Sequence, residues 1–154
     1  MSEPGWRVVL LLAAAFRDSV DALHAELEEQ GHPESRPLHG FALQAIGPDG
    51  CTINDLGQRL GVSKQAAAKT AVGLERAGYV ARDSVPGDRR AVLLRRTARA
   101  DDLLAASAAG FEHVMERWRR QLGTTRFDAT VEALTEVAGD RPVGDLPGWL
   151  LNSR

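Results

Sequence analysis

Apolar residues recur three or four positions apart through the first part of the chain, which is the spacing of one helix face. The pattern predicts a long amphipathic helix from Gly5 to Gln30, ended by Gly31-His32-Pro33. Its apolar stripe consists of Trp6, Val9, Leu12, Phe16, Val20, Leu23 and Leu27, widened near the start by Val8, Leu10 and Leu11. So wide a stripe requires a partner, either the rest of the chain or a second chain.

A shorter apolar pattern from Arg36 to Ile46 predicts a buried helix that ends at Gly47-Pro48. The next helix is opened by Thr52 and Asp55, a hydroxyl and a carboxylate at the spacing of a capping box. Gly61 ends that helix.

Ser63 can cap a second short helix, which Ala77-Gly78 closes. Two short helices joined by a tight Gly-Val turn predict a helix-turn-helix. On the second helix Ala67, Ala71 and Leu74 lie on one face, which packs, while the long polar side chains point elsewhere. Donors on those side chains can meet phosphates or base edges in a major groove. Taken alone, the pattern also fits a small surface helix with scattered charges.

A β-hairpin is predicted directly after these helices. Tyr79–Arg82 and Ala91–Leu94 are apolar enough for two short strands, and Ser84–Asp88, containing Pro86-Gly87, is a turn. Helix, helix and hairpin make a winged helix. Asp88-Arg89-Arg90 at the tip is suited to phosphate contact or insertion into a narrow minor groove.

At these segments the chain resembles the MarR-type winged-helix transcriptional regulators. The resemblance covers about a third of the chain and rests on three motifs, which are LGQRLGVS at 56–63, LERAGYV at 74–80 and PGDRRAV at 86–92. It implies a mainly α fold with a small β-hairpin wing, and N- and C-terminal dimerisation helices.

The resemblance also implies a mode of DNA binding. In such regulators the wing has an Asp-x-Arg pattern in which the acid orients an arginine that enters the minor groove; Asp88 and Arg90 match it here, and Arg89 becomes a phosphate contact. The expected DNA-binding residues are Ser63, Lys64, Gln65, Ala68, Lys69, Asp88, Arg89 and Arg90. A homodimer would read an inverted-repeat operator in double-stranded DNA. Regulators of this type usually repress, and a small aromatic or anionic effector is a further partner that the resemblance suggests.

Some residues depart from the family pattern. Gly73 lies inside the recognition helix, where it costs about 1 kcal/mol relative to alanine. Thr70 and Ala71 stand where larger apolar residues are usual. These departures predict a loosely packed recognition helix.

Four segments are expected. Residues 1–35 form the N-terminal dimerisation helix, 36–96 the DNA-binding domain, 97–138 the C-terminal dimerisation helices and 139–154 a tail. Thr97 is expected to cap a helix over 98–122, followed by a second helix over 125–137. The tail ends in Trp149-Leu150-Leu151, which predicts docking on the first helix, with an untied tail as the alternative.

Charge is segregated along the chain. Residues 52–99 contain ten Lys and Arg against four acidic residues, a local net charge of +6, although the whole chain has −2. A basic centre between acidic ends suits a nucleic-acid reader with separate dimerisation elements. A solvated charged face is the alternative.

No enzymatic constellation is present in the sequence. It lacks a Gly-rich phosphate loop, a Gly-x-Ser-x-Gly elbow and a paired-cysteine metal site. His24 and Glu28 lie one helical turn apart and could ligate a metal with His32 or His39, but a solvated histidine is the simpler reading. His113 is expected at the surface beside Glu112 and Glu116. No enzyme activity, metal or cofactor is therefore expected.

The single cysteine, Cys51, excludes an intramolecular disulfide and fits a reducing cytoplasm. No apolar run reaches membrane-spanning length, so a cytoplasmic protein without a membrane partner is expected. The rival to a DNA-binding repressor is an antirepressor-like winged helix that has lost DNA readout and binds another regulator.

Overall fold

The computed structural model describes residues 4–139 of the 154-residue chain. Within them the chain is mainly helical with one small antiparallel sheet, as predicted. The elements are, in order, α1 Gly5–Glu29, α2 Pro37–Ile46, β1 Cys51–Thr52, α3 Ile53–Leu60, α4 Lys64–Arg76, β2 Val80–Val85, β3 Asp88–Arg96, α5 Ala98–Leu122 and α6 Thr124–Ala138. None of the helices in this part of the chain is both long and apolar enough to cross a membrane.

The predicted helix caps are confirmed. Thr52 Oγ1 accepts a hydrogen bond from the Asp55 backbone N–H, and the Asp55 carboxylate accepts one from the Thr52 backbone N–H. These two bonds complete the capping box, and the hydrogen bonds that the Thr52 hydroxyl and backbone N–H donate to the Asp55 carboxylate lower the pKa of Asp55. Thr97 Oγ1 accepts from the Ala100 backbone N–H at 3.3 Å and so opens α5.

The three strands lie in the order β1-β3-β2, and both pairs are antiparallel. The predicted hairpin is present, but β2 and β3 are longer than the apolar segments indicated, and Tyr79 precedes β2 instead of beginning it. The added positions carry exposed polar residues, which an edge hairpin tolerates. Strand β1 was not predicted, because its two residues pair with Leu94 and Leu93 and show no alternation of their own.

A single apolar core holds the sheet and the three central helices together. Its leucine and isoleucine residues with no exposed surface are Leu43, Ile46, Leu56, Leu74 and Leu94. Arg59 of α3 donates to the Ala45 carbonyl oxygen at 2.8 Å and thereby caps the C-terminal end of α2. Helices α2 and α3 are therefore fixed behind α4.

Helix α1 packs along α5 rather than on the sheet. The two helices approach closely at Gly110, where an added Cβ would lie 2.5 Å from Leu23 Cδ1. His113 of α5 is paired with Glu26 of α1 at 2.9 Å, and not with the adjacent Glu112 or Glu116. His113 is at the surface as expected, but its partner is 87 residues away.

The N-terminal part of α1 and the C-terminal part of α6, which we call the ends of the helical frame, keep much apolar surface exposed. In α1 Trp6 is 66% and Val9 65% exposed, and in α6 Val137 is 86% exposed. The predicted docking of Trp149-Leu150-Leu151 lies outside the described residues.

Candidate nucleic-acid interface

The predicted recognition helix is α4, and its first turn is fixed by a cap. Ser63 Oγ accepts from the Ala66 backbone N–H at 3.1 Å. Lys64, Gln65 and Lys69 are exposed, while Ala68 is half-buried. Their side chains extend from the side of α4 that does not pack on the core, so they form one outward surface.

The packed side of α4 is tight, contrary to the expectation of a loose helix. Ala67, Ala71 and Leu74 have no exposed surface. Small alanines allow α4 to lie close to α2 and α3, so larger residues are not needed. At Gly73 an added Cβ would lie 3.9 Å from His39 Nε2, so this position faces the side chain of a buried histidine on α2.

The turn between α3 and α4 depends on two glycines. Gly61 adopts the left-handed conformation at φ 64°, which ends α3. Gly57 is buried where the turn folds back, and an added Cβ there would lie 3.2 Å from the Val62 carbonyl oxygen. The close approach of this turn sets the angle between the two helices.

The wing tip presents arginines on a short turn. Gly87 has φ 82°, and a register irregularity follows Ser84 in the hairpin. Asp88 Oδ1 accepts from the backbone N–H of Arg90 at 2.9 Å. The carboxylate thus fixes the backbone at the tip, while Arg89 and Arg90 are exposed.

All four acidic side chains of residues 52–99 are bonded within the protein. Glu75 accepts from Arg82 Nε at 2.8 Å and Asp83 from Arg95 Nε at 3.2 Å. Asp55 and Asp88 bond to the cap and to the wing backbone. Each acid therefore has a partner within the protein, either an arginine of the hairpin stem or backbone groups.

In the described part of the chain, the cations on the outward surface of α4 and at the wing tip form no such pairs with acidic side chains. Among the described residues, no ion pair joins an acidic side chain to Lys64, Lys69, Arg89 or Arg90. The positive charge that composition placed in this segment is thus concentrated on α4 and the wing tip, where it can attract phosphates.

A cavity of about 460 Å³ lies behind α2, between α1 and α5. Its apolar wall includes Phe41, Leu104 and Phe111, and its polar lining consists of His24, Ser35, Arg36, Gln44 and Ser107. Burial lowers the pKa of His24, and the nearby Asp21 partly offsets that shift. The cavity is large enough for a small amphipathic molecule.

The histidines proposed as metal ligands do not converge. His24 is half-buried and hydrogen-bonds to Ser35 at 3.2 Å, so it is not simply solvated. His39 Nδ1 accepts from the Arg36 backbone N–H. Within residues 4–139 no group of three or more His, Cys, Asp and Glu side chains is arranged to hold a metal ion.

His32 has a role that the sequence did not suggest. It is 1% exposed and hydrogen-bonds to Tyr79 and to Asp102, residues that are 47 and 70 positions away. The only sequence signal was a histidine in a short break between helices, which is usually a surface position.

Cys51 is buried in β1, and burial raises the pKa of its thiol. A protonated, inaccessible thiol is unreactive. Its contribution in this structure is to the core of the sheet.

The fold and the arrangement of α3, α4 and the hairpin define a winged helix-turn-helix protein. Residues 37–91 match the model of the MarR family. No curated protein matches the chain at the level of sequence.

Solved structures extend the comparison beyond the winged helix. The YusO protein of Bacillus subtilis is similar at a TM-score of 0.68 and 22% identity, covering 88% of this chain and 94% of that one. Apo MarR of E. coli is similar at a TM-score of 0.66 and 18% identity, covering 90% and 100%. MepR F27L of S. aureus, solved bound to an oligodeoxyribonucleotide, is similar at 0.58 and 18% identity, covering 88% and 97%. The chain therefore has the fold of MarR-family transcriptional regulators, and the family resemblance is confirmed.

Proposed function

We propose that the protein is a cytoplasmic transcriptional regulator that binds double-stranded DNA as a homodimer and represses. The observation that carries the proposal is the outward surface of α4 and the wing tip, whose cations are not neutralised by acidic side chains. Lys64, Gln65 and Lys69 extend from a helix that is capped and packed behind. This is the arrangement required of a helix that enters a major groove.

The wing would contact the same duplex beside the recognition helix. Arg90 would enter the adjacent minor groove, and Arg89 would contact phosphate. Asp88 supports this role by fixing the Arg90 backbone. Twofold symmetry would then require an inverted repeat with half-sites about one helical turn apart, roughly 34 Å.

Homodimer formation is supported by the apolar surface left at the ends of the frame. A contiguous apolar stripe on α1 and exposed apolar residues on α6 are what an interface between two copies requires. Exposed members of these two helices include Trp6, Val9, Leu10, Leu11, Val131, Leu134 and Val137.

The cavity behind α2 is the proposed effector site. An aromatic or aliphatic body would lie against Phe41 and Phe111, and an anionic group would meet Arg36. Because α2 also packs on α4, an occupant would change the orientation of the recognition helix. The two recognition helices of the dimer would then fit one duplex differently.

The proposal is tested by selecting bound duplexes from a random library, then titrating the enriched duplex at several salt concentrations. An enriched inverted repeat, with affinity that falls steeply as salt rises, is expected. Arg90→Ala should weaken specific binding by about 10- to 100-fold, corresponding to 1–3 kcal/mol, without lowering the unfolding temperature.

Arg126→Ala is the matched control, because it removes an exposed arginine from α6. It should leave affinity within about twofold. Gln65→Ala tests base reading separately: equal weakening on every sequence would make Gln65 a backbone contact. Weak, sequence-independent retention by the wild type, indifferent to Arg90→Ala, would favour the protein-interaction module.

A further inference from the structure

A polar cluster joins the end of α1, the end of α4 and the start of α5; it is buried at His32 and Tyr79 and exposed at Arg99 and Asp102. It consists of His32 and Tyr79, which lie in the breaks after α1 and α4, and of Arg99 and Asp102 in the first turns of α5. We call these four residues the His32 junction. It is separate from the outward surface of α4 and the wing, and its residues do not line the cavity.

His32 connects two partners through both ring nitrogens. Nδ1 lies 3.0 Å from the Tyr79 hydroxyl and Nε2 lies 2.9 Å from Asp102 Oδ2. A neutral imidazole satisfies both contacts when Nε2–H donates to the carboxylate and Nδ1 accepts from the hydroxyl. The tautomer is thus assigned by the network, and each polar atom of this chain of bonds has a partner.

Arg99 makes the second set of contacts. Its Nε donates to the Ala77 carbonyl oxygen at 3.1 Å, and a terminal nitrogen donates to the Gly31 carbonyl oxygen at 3.2 Å. The guanidinium carbon also lies 5.1 Å from the centre of the Tyr79 ring. One side chain of α5 therefore bonds both the C-terminal end of α4 and the backbone after α1.

A carboxylate, an imidazole and a hydroxyl in series resemble a catalytic relay, but access rules that role out. Tyr79 has no exposed surface and His32 is 1% exposed, so no substrate can reach the hydroxyl. The buried part of the network, His32 and the Tyr79 hydroxyl, has its polar groups satisfied, and such a network is rigid and directional. The chemistry of the junction is therefore suited to holding elements in one orientation.

The location of the junction determines what it can orient. Helix α4 packs mainly on α3 and the wing, whereas α1 packs on α5. The junction bonds these two groups of elements to each other, beside the hydrogen bond from Thr97 Oγ1 to the Gly78 carbonyl oxygen and the ion pair of Arg96 with Asp101. Apolar contacts are non-directional, whereas hydrogen bonds depend on angle, so the junction sets direction more sharply than the surrounding core does.

We propose that His32 and Arg99 are positioning residues that fix the angle between the recognition helix and the dimerisation helices, and thereby the half-site spacing that the dimer accepts. This proposal rests on the proposed function. The junction is at the C-terminal end of α4, and the reading residues are near its N-terminal end. Over the 13 residues of α4, about 20 Å, a rotation of about 10° displaces the reading end by about 3 Å. That displacement is about one base-pair step.

The test compares binding to the selected operator with binding to operators whose half-sites are one or two base pairs closer or further apart. Measurements are made well below each variant's unfolding temperature. The wild type should bind the selected spacing about tenfold or more tightly than the altered ones, because the two recognition helices of the dimer must bind both half-sites at once. His32→Leu should reduce this preference to about threefold or less while leaving affinity for an isolated half-site within about twofold.

Matched variants distinguish an effect on the orientation of α4 from an effect on the stability of the protein. His32→Gln retains one donor and one acceptor, so it should restore part of the spacing preference. Val114→Ala removes buried methyl groups of α5 outside the junction, and it should lower the unfolding temperature without changing the spacing profile. If His32→Leu fails to fold, Tyr79→Phe removes only the hydroxyl and is expected to act in the same direction.

A second readout does not require DNA. Tyr79 is the single tyrosine of the chain, so the tyrosine doublet in a Raman spectrum reports its hydrogen bonding without overlap. The wild-type hydroxyl should appear as a hydrogen-bond donor, and His32→Leu should abolish that state. An unchanged doublet, or a lower unfolding temperature with an unchanged spacing profile, would overturn the positioning role. Absence of an inverted repeat for the wild type would overturn the proposed function itself, and the two failures are thus distinguishable.

Discussion

The winged-helix part of the molecule and the ends of its helical frame differ in how completely they bury apolar side chains. Leu43, Leu56 and Leu74 in the winged helix have no exposed surface, whereas Trp6 and Val9 of α1 are about two-thirds exposed. Both regions use the same kinds of side chain. The difference is that the apolar residues of the winged helix are covered by elements of the same chain, whereas those at the ends of α1 and α6 are left open.

The comparison indicates that the two regions have different roles in the fold. A closed core makes the orientation of α3, α4 and the wing independent of any partner, and that orientation is what a base-reading surface needs. An open apolar face is costly in a monomer, so it is expected to be covered by a second copy. Changes in the two regions should therefore have different consequences.

The largest effect is expected at the open face. Val9→Glu combined with Leu12→Glu would bury two carboxylates in the proposed interface, at a cost of several kcal/mol. The dimer should dissociate at micromolar concentration, and inverted-repeat binding should be lost with it. Analytical ultracentrifugation measures the first effect and operator titration the second.

Ala25→Glu is the control, because Ala25 is exposed and lies on the same helix but outside the apolar stripe. It should leave the dimer intact. A double variant that stayed dimeric would place the interface elsewhere on the molecule.

The next effect is expected in the closed core. Leu74→Ala leaves a cavity beneath the recognition helix and should reduce the free energy of unfolding by about 2–5 kcal/mol. Leu134→Ala on α6, where the side chain is 42% exposed, should cost less than about 1 kcal/mol in the dissociated protein. Urea unfolding of both variants in the monomeric background measures the contrast. Equal losses would mean that the winged-helix core is no more closed than the frame.

The smallest of the three effects is a pH dependence at the contact between α2 and α4. Burial, with added repulsion from Arg36 and His24, lowers the pKa of His39 from 6.5 to about 4. The unfolded chain therefore takes up a proton first as pH falls. Stability is complete above about pH 6.5 and falls by on the order of 2–3 kcal/mol toward pH 4.

His39→Gln removes this titration, so the wild type should lose more stability than the variant between pH 6.5 and 4.5. The difference between the two proteins isolates His39 from carboxylates that titrate in the same range. Parallel pH profiles would show that His39 is protonated as readily in the folded as in the unfolded protein.

Local chemistry made much of the fold predictable from the sequence. The capping residues Thr52, Ser63 and Thr97 begin their helices where they stand in the sequence, because each hydroxyl bonds a backbone N–H three residues later. Gly61 also ends its helix for a local reason, since glycine has no Cβ and adopts a positive φ without strain. Helical periodicity then located the packed faces.

The parts that sequence reasoning missed depend on distant partners. Strand β1 exists only because β3 lies beside it, and the ends of the wing strands are set by pairing rather than by apolar pattern. His32 and Asp102 have no relation along the sequence, so their contact could not be inferred. The same holds for the pairing of His113 with Glu26.

For the candidate interface, the sequence indicated which residues are exposed but not how charge is arranged among them. Local net charge was readable from composition, whereas the pairing of Glu75 with Arg82 and of Asp83 with Arg95 required the structure. The roles assigned to the reading residues remain predictions, to be tested by the DNA titrations above.

The division of α4 between packed alanines and outward polar side chains has an evolutionary consequence. Lys64, Gln65 and Lys69 contribute little to the core, so substitutions there change recognition at little expense of stability. Ala67 and Ala71 have the opposite constraint, because any larger side chain would displace α4 from its neighbours. After gene duplication, a copy of this protein could acquire a new operator through a few exposed positions while its scaffold stayed the same.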